Sequence, residues 1–316
     1  MENLIFSLNA TIPIFLLMVI GYVLKEIHFM DEAFALKLNS FVFKVSLPCL
    51  LFNDLSVVDF ATAWDSRFVF FCAFTTICSI LIAFVFSLAI KEKSLQGEFI
   101  QVTYRSSAAI LGLAFIQNIY GSTGMGPLMI VASVPLYNIC AVIVLSFFSP
   151  NQTEKPFDQA LIKKTLLGIL KNPILIGIVV GLLWSALSLP TPGILMKTAG
   201  NIGATATPLG LIAMGACFNF KEAFECGKAS LFATFTKLFG FVGLFLPFAI
   251  HMGYRKEELV AILVMLGSAS TVSCFVMAKN MGHKGTLTSA TVMLTTLFSA
   301  FSLTFWLYLM KSMGFI

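Results

Sequence analysis

The chain has 316 residues, of which 58% are hydrophobic and only 11% charged, and 33 are phenylalanine. An ordinary soluble domain carries ~25% charge, so these charges cannot cover a compact water-facing surface, and disorder is excluded because it needs much charge and little apolar mass. A polytopic membrane protein remains, and its surplus of +5 informs by placement rather than by size, with no implication of a nucleic-acid partner.

Apolar stretches of ~20 residues can cross a ~30 Å hydrocarbon core as helices. Ten are predicted, at 4–24, 36–55, 67–90, 99–118, 127–148, 170–188, 198–218, 229–250, 259–278 and 288–310. They are too long, and alternate too little, for a barrel. The first follows Glu2 with no Lys or Arg before it, so it reads as a true span rather than a cleaved signal. The second carries Lys44, Pro48 and, one residue from its end, Asp54. Proline in a helix removes a backbone hydrogen bond, and in lipid the freed group must find a partner or line a cavity. Pro48 is therefore a predicted break or kink.

The fourth span holds Tyr104-Arg105-Ser106-Ser107-Ala108-Ala109-Ile110-Leu111-Gly112 and, near its end, Asn118. Small residues let helices approach closely, and hydroxyls can satisfy freed backbone groups. The fifth span has Pro135 and, three residues later, Asn138. A polar link at 149–169 then divides the chain into 1–148 and 170–316. The seventh span carries Pro208, the eighth Lys237, and the ninth the run Gly267-Ser268-Ala269-Ser270-Thr271-Val272-Ser273. If spans four and nine are interrupted and cross, their half-helix N-termini would offer unpaired N–H groups to an anion.

The deep charges, Lys44, Arg105 and Lys237, are all cationic, and no span has Asp or Glu near its middle. The seven cysteines are scattered without a Cys-x-x-Cys pair, and the three histidines lie in three separate loops. Neither a metal site nor an intramembrane enzyme is expected, and no cofactor. Loop lysines concentrate on the side of the 149–169 link, which the positive-inside rule makes cytoplasmic, with both termini outside a cell membrane.

Shifting the chain against itself by 160 residues pairs Pro13 with Pro173, Gly21 with Gly181, Pro48 with Pro208 and Phe115 with Phe275. Five spans per half is an odd number, so the second half starts on the opposite side. A repeat in sequence then becomes an inverted repeat in structure, the architecture of many secondary transporters.

The run Ile12-Pro13-Ile14-Phe15-Leu16-Leu17-Met18-Val19-Ile20-Gly21-Tyr22 resembles the opening of the auxin efflux carrier family. So do Leu38-Asn39-Ser40-Phe41-Val42-Phe43 before Leu47-Pro48, Asn172-Pro173 with Gly181, and Thr207-Pro208-Leu209 with Gly215-Ala216. The match spans nearly the whole chain, and the short central link is similar to the bacterial, malate permease-like branch. The resemblance implies an all-α membrane protein of ten helices in two inverted five-helix repeats. It also implies crossed, broken helices four and nine, a scaffold domain, and a transport domain that moves as an elevator carrying small organic carboxylates. A homodimer in the bilayer is a further expectation. Two departures stand out: Ser107 where the family commonly has Asn, and Ala114 and Ala269 near where it commonly has proline. Gly112 and Gly267 are the residues expected to supply flexibility there.

The expected substrate-binding residues are Arg105, Ser106, Ser107, Asn118, Asn138, Ser270, Thr271 and Ser273, with Pro48, Gly112, Pro208 and Gly267 as helix breaks or hinges. Guanidinium geometry suits a carboxylate. For Lys44 and Lys237 a structural or snorkelling role is expected. The absence of a mid-membrane carboxylate predicts facilitated transport or anion exchange rather than proton or sodium coupling. A sodium-coupled organic-anion symporter of related, bile-acid-carrier-like fold is the alternative.

Overall fold

The computed structural model describes residues 2–56, 65–108, 112–121, 124–149 and 171–316. Within them every regular element is helical: α1 Glu2–Glu26, α2 Glu32–Ser56, α3 Ser66–Ser87, α4 Lys93–Tyr104, α5 Leu113–Tyr120, α6 Gly126–Phe147, α7 Pro173–Ala186, α8 Gly193–Ala204, α9 Ala206–Ala216, α10 Phe220–Glu225, α11 Gly227–His251, α12 Lys256–Gly267, α13 Ser273–Asn280 and α14 Thr286–Ser312. Five of these, α2, α3, α6, α11 and α14, are long and apolar enough to cross a membrane. Starts follow capping chemistry. The Asp31 carboxylate accepts from Phe34 N at 2.6 Å, Asp65 from Arg67 N at 2.9 Å, and Asn172 from Ile174 N at 2.9 Å. Each meets a donor that the first helical turn leaves without an intrahelical partner.

The helices pack as two bundles. One contains α1, α2, α7, α8 and α9. The other contains α3, α4, α6, α11, α12 and α14; α13 touches both, and α1 of the first packs along α14 of the second. The outer surface is apolar, with Phe70 and Phe224 exposed, while threonines and serines of α14 are buried. This inversion of the soluble pattern suits a lipid surround.

Two predicted breaks differ from expectation. Helix α2 runs unbroken through Pro48, because a π turn at Val42–Ser46 widens the helix just ahead of the ring. A wider turn accommodates the carbonyl that proline cannot bond. Its counterpart Pro208 is the third residue of α9, where a missing N–H costs nothing, and the interruption falls at Thr205 between α8 and α9. The two sites touch through Ser46 Oγ and Thr205 Oγ1 at 2.8 Å.

The other interruptions separate α4 from α5 and α12 from α13. The bounds of α12 follow those of α4 by 163 residues and those of α13 follow α5 by 160, so the first interruption is three residues longer. The link beyond Ser149 and the side chain of Asn118 lie outside the described residues.

Candidate functional site

Helix α4 ends because Arg105 turns to an extended conformation, φ −76° and ψ 132°, and α12 ends likewise at Ser268, φ −74° and ψ 164°. No proline is involved; hydrogen bonds between the two interruptions compensate for the lost helix bonds. Ser107 N donates to Ala269 O at 2.9 Å. Ser270 Oγ donates to Val102 O at 2.7 Å, and Ser106 Oγ donates to Met265 O. Each interruption thus caps a carbonyl near the C-terminal end of the opposite helix, which answers the orphan groups of both. Gln101 Nε2 adds a bond to Cys274 O at 2.8 Å, and Tyr137 Oη one to Met265 O at 3.1 Å.

Arg105 is 1% exposed and does not snorkel. Its guanidinium donates to Asn138 Oδ1 at 2.8 Å, Ser273 Oγ at 2.6 Å, Gln101 Oε1 at 3.3 Å and Met277 Sδ at 2.8 Å. All four acceptors are neutral, and its Nε–H has no partner. A buried cation is costly unless a charge offsets it, and none of these four acceptors supplies one. Asn138 is itself fixed by donating from Nδ2 to Val134 O at 2.9 Å.

Arg105 opens on a cavity of about 70 Å³ that also meets Ser107, Asn138, Thr271 and Ser273. At roughly 10–15 Å³ per water-sized group, that is room for about five such groups. The wall opposite comes from the other bundle: Leu47, Leu50, Leu51 and Asp54 of α2 with Ala206 and Thr207 of α9. The cavity therefore lies between the bundles, and its two charged lining residues, Arg105 and Asp54, face it from different ones.

The remaining predicted residues take other positions. Ser106 and Ser270 turn to backbone carbonyls and hold the crossing together. Gly112 packs against Met129 and Val264, and Gly267 against Val242, close enough that both serve tight packing. Lys44 is exposed on α2, whereas Lys237 is fully buried and donates to Tyr104 O and Ser106 Oγ. The sequence reading missed Gln101, Met277, Tyr137 and the cavity position of Asp54. Of these only Gln101 left a signal, one helical turn before Arg105.

The sequence profile described as membrane transport protein matches residues 6–307. A relative from Methanothermobacter thermautotrophicus, an uncharacterized transporter by its description, is 24% identical over 221 residues, covering 68% of this chain and 69% of its own. Among solved structures, the sodium proton antiporter MjNhaP1 from Methanocaldococcus jannaschii superposes with a TM-score of 0.62 at 12% identity, over 95% of this chain and 97% of that one. That likeness is one of fold.

Proposed function

The chain belongs to the membrane transport protein family and is a multi-pass membrane transporter, and from that premise we propose that it is a secondary transporter of small organic carboxylate anions. The observation that carries this is Arg105: a buried guanidinium held by neutral acceptors at the wall of a small, largely apolar cavity into which a few serine, threonine and asparagine side chains also face. A carboxylate fits its planar donors, with Ser273, Asn138 and the N-terminus of α13 as further donors.

We assign ten spans, counting α4 with α5, α8 with α9, and α12 with α13 as single interrupted crossings, arranged as inverted repeats 1–148 and 170–316. The distribution of loop lysines supports an orientation with both termini outside. The glycine-packed bundle of α1, α2, α7, α8 and α9 would serve as scaffold. The bundle carrying Arg105 would be the moving part of an elevator, since the cavity between them is where alternating access needs its cargo. Asp54 lines the same cavity from the scaffold wall. That no span has Asp or Glu near its middle supports exchange or gradient-driven flux.

The test is uptake of labelled malate and related carboxylates into proteoliposomes, each with and without a sodium gradient and a proton gradient. Saturable uptake that needs neither gradient is expected. Uptake that collapses without sodium would move the assignment to a sodium symporter, and collapse without a proton gradient would make Asp54 a coupling site. A thermal-shift screen in which neutral or cationic compounds stabilise the protein and no carboxylate does would overturn the anion reading.

A further inference from the structure

The C-terminal carbonyls of α4 enter the crossing without the intrahelical donors that a continuing helix would supply. Gln101 O keeps the last helical bond, from Arg105 N at 3.3 Å; beyond it Val102 O is met by Ser270 Oγ at 2.7 Å, and Tyr104 O by Lys237 Nζ at 3.0 Å. Lys237 belongs to a neighbouring helix, α11, and reaches in from its π turn at Thr236–Gly240. Its amine also donates to Ser106 Oγ, whose hydroxyl donates onward to Met265 O of α12. One ammonium group is thus linked to the C-terminal ends of both interrupted helices. Each such end carries about half a negative charge. The side chain is fully buried, and neither of its two acceptors is a carboxylate.

Unwound carbonyls and half-helix C-termini are where transporters with broken helices hold a coupling cation. We propose that Lys237 is a tethered cation filling such a site, so that the crossing is complete without sodium. The local chemistry is that of a monovalent-cation site: a main-chain carbonyl and a hydroxyl as ligands, negative potential from two helix ends, and full burial of the amine. The inference concerns the crossing and not the cargo, so it stands or falls separately from the carboxylate assignment.

The experiment compares the full chain with Lys237→Ala and Lys237→Met, each fused to a fluorescent protein and read by size exclusion and thermal unfolding straight from solubilised membranes. The chloride salts are sodium, methylammonium and N-methyl-D-glucamine. The unaltered protein is expected to unfold at the same temperature in all three. Lys237→Ala, which leaves space for an ion, should unfold earlier in N-methyl-D-glucamine and regain roughly 2–5 °C in sodium or methylammonium. Lys237→Met, which fills the space with a neutral chain, should regain nothing. The inference is overturned if sodium stabilises the unaltered protein, if Lys237→Ala responds to no small cation, or if Lys237→Ala gives no folded peak in any salt.

Discussion

In the bundle of α1, α2, α7, α8 and α9, helices meet backbone to backbone through glycine. In the bundle around the crossing, they meet through side-chain hydrogen bonds. A Cβ on Gly21 would land on the Ile212 backbone, and one on Gly215 on that of Met18, so α1 and α9 are locked reciprocally. Gly177 and Gly203 bring α7 and α8 equally close to the backbone of α2 at Pro48 and Leu50. Such contacts have no slack, because interiors are close-packed and resist inserted atoms. Around Arg105 the contacts are instead serine, asparagine and lysine side chains on carbonyls and hydroxyls. Polar cross-links cost little to rearrange when a ligand offers the same bonds. The difference separates a framework from a site.

The sharpest way to break that comparison is to add a side chain to the framework. Gly215→Leu should abolish the folded peak in size exclusion, whereas Gly193→Ala, at a glycine with nothing within 4 Å of the new Cβ, should leave the profile unchanged. In the site bundle the loss should be of function instead. Arg105→Met is expected to weaken carboxylate binding by about 30-fold or more, with thermal stability held or raised because a buried charge without a carboxylate partner is gone. Uptake at the unaltered level in that variant would remove Arg105 from the site.

Some of this architecture was legible in the amino acids and some was not. The serine-rich runs at Arg105–Ser107 and Ser268–Ser270 foretold interruptions, since hydroxyls there can replace lost helix bonds. That each would cap the other's helix depends on a fold-level crossing, which local composition does not encode. Pro48 misled as a break because the π turn that absorbs it leaves no composition signature. Glu98 escaped notice because the apolar stretch was drawn from residue 99; it is 1% exposed and accepts from Gly285 N at 2.8 Å and from Thr288 N and Oγ1, both at 3.0 Å. Asp54 sits at a span end in sequence yet lines the cavity, together with Leu47, Leu50 and Leu51 of the same helix.

Smaller effects sharpen the division. Glu98→Gln should cost ~1.5–3 kcal/mol in denaturant-free thermal unfolding, the value of a buried charged acceptor, without changing carboxylate affinity. An affinity change there would mean that the α14 cap communicates with the site. Ser273→Ala removes one acceptor from Arg105 and should weaken carboxylate binding by about 5–10-fold, measured by isothermal titration. Asp54→Asn removes the negative charge from the opposite wall of the cavity and should tighten anion binding by about threefold. Weaker binding in that variant would instead make Asp54 a direct ligand.

The π turn at Thr236–Gly240 also sets a helical phase. Within it the Leu238 carbonyl accepts from Trp306 Nε1 at 3.0 Å. Removing one residue, such as Phe239, would restore ordinary winding and rotate the preceding segment by about 100° about the axis. Lys237 would then turn away from the crossing, towards the lipid-facing side that carries Phe235. The location of this fully buried amine thus depends on a single unit of length, and an insertion or deletion there would act as a charge substitution while leaving Lys237 itself in the sequence.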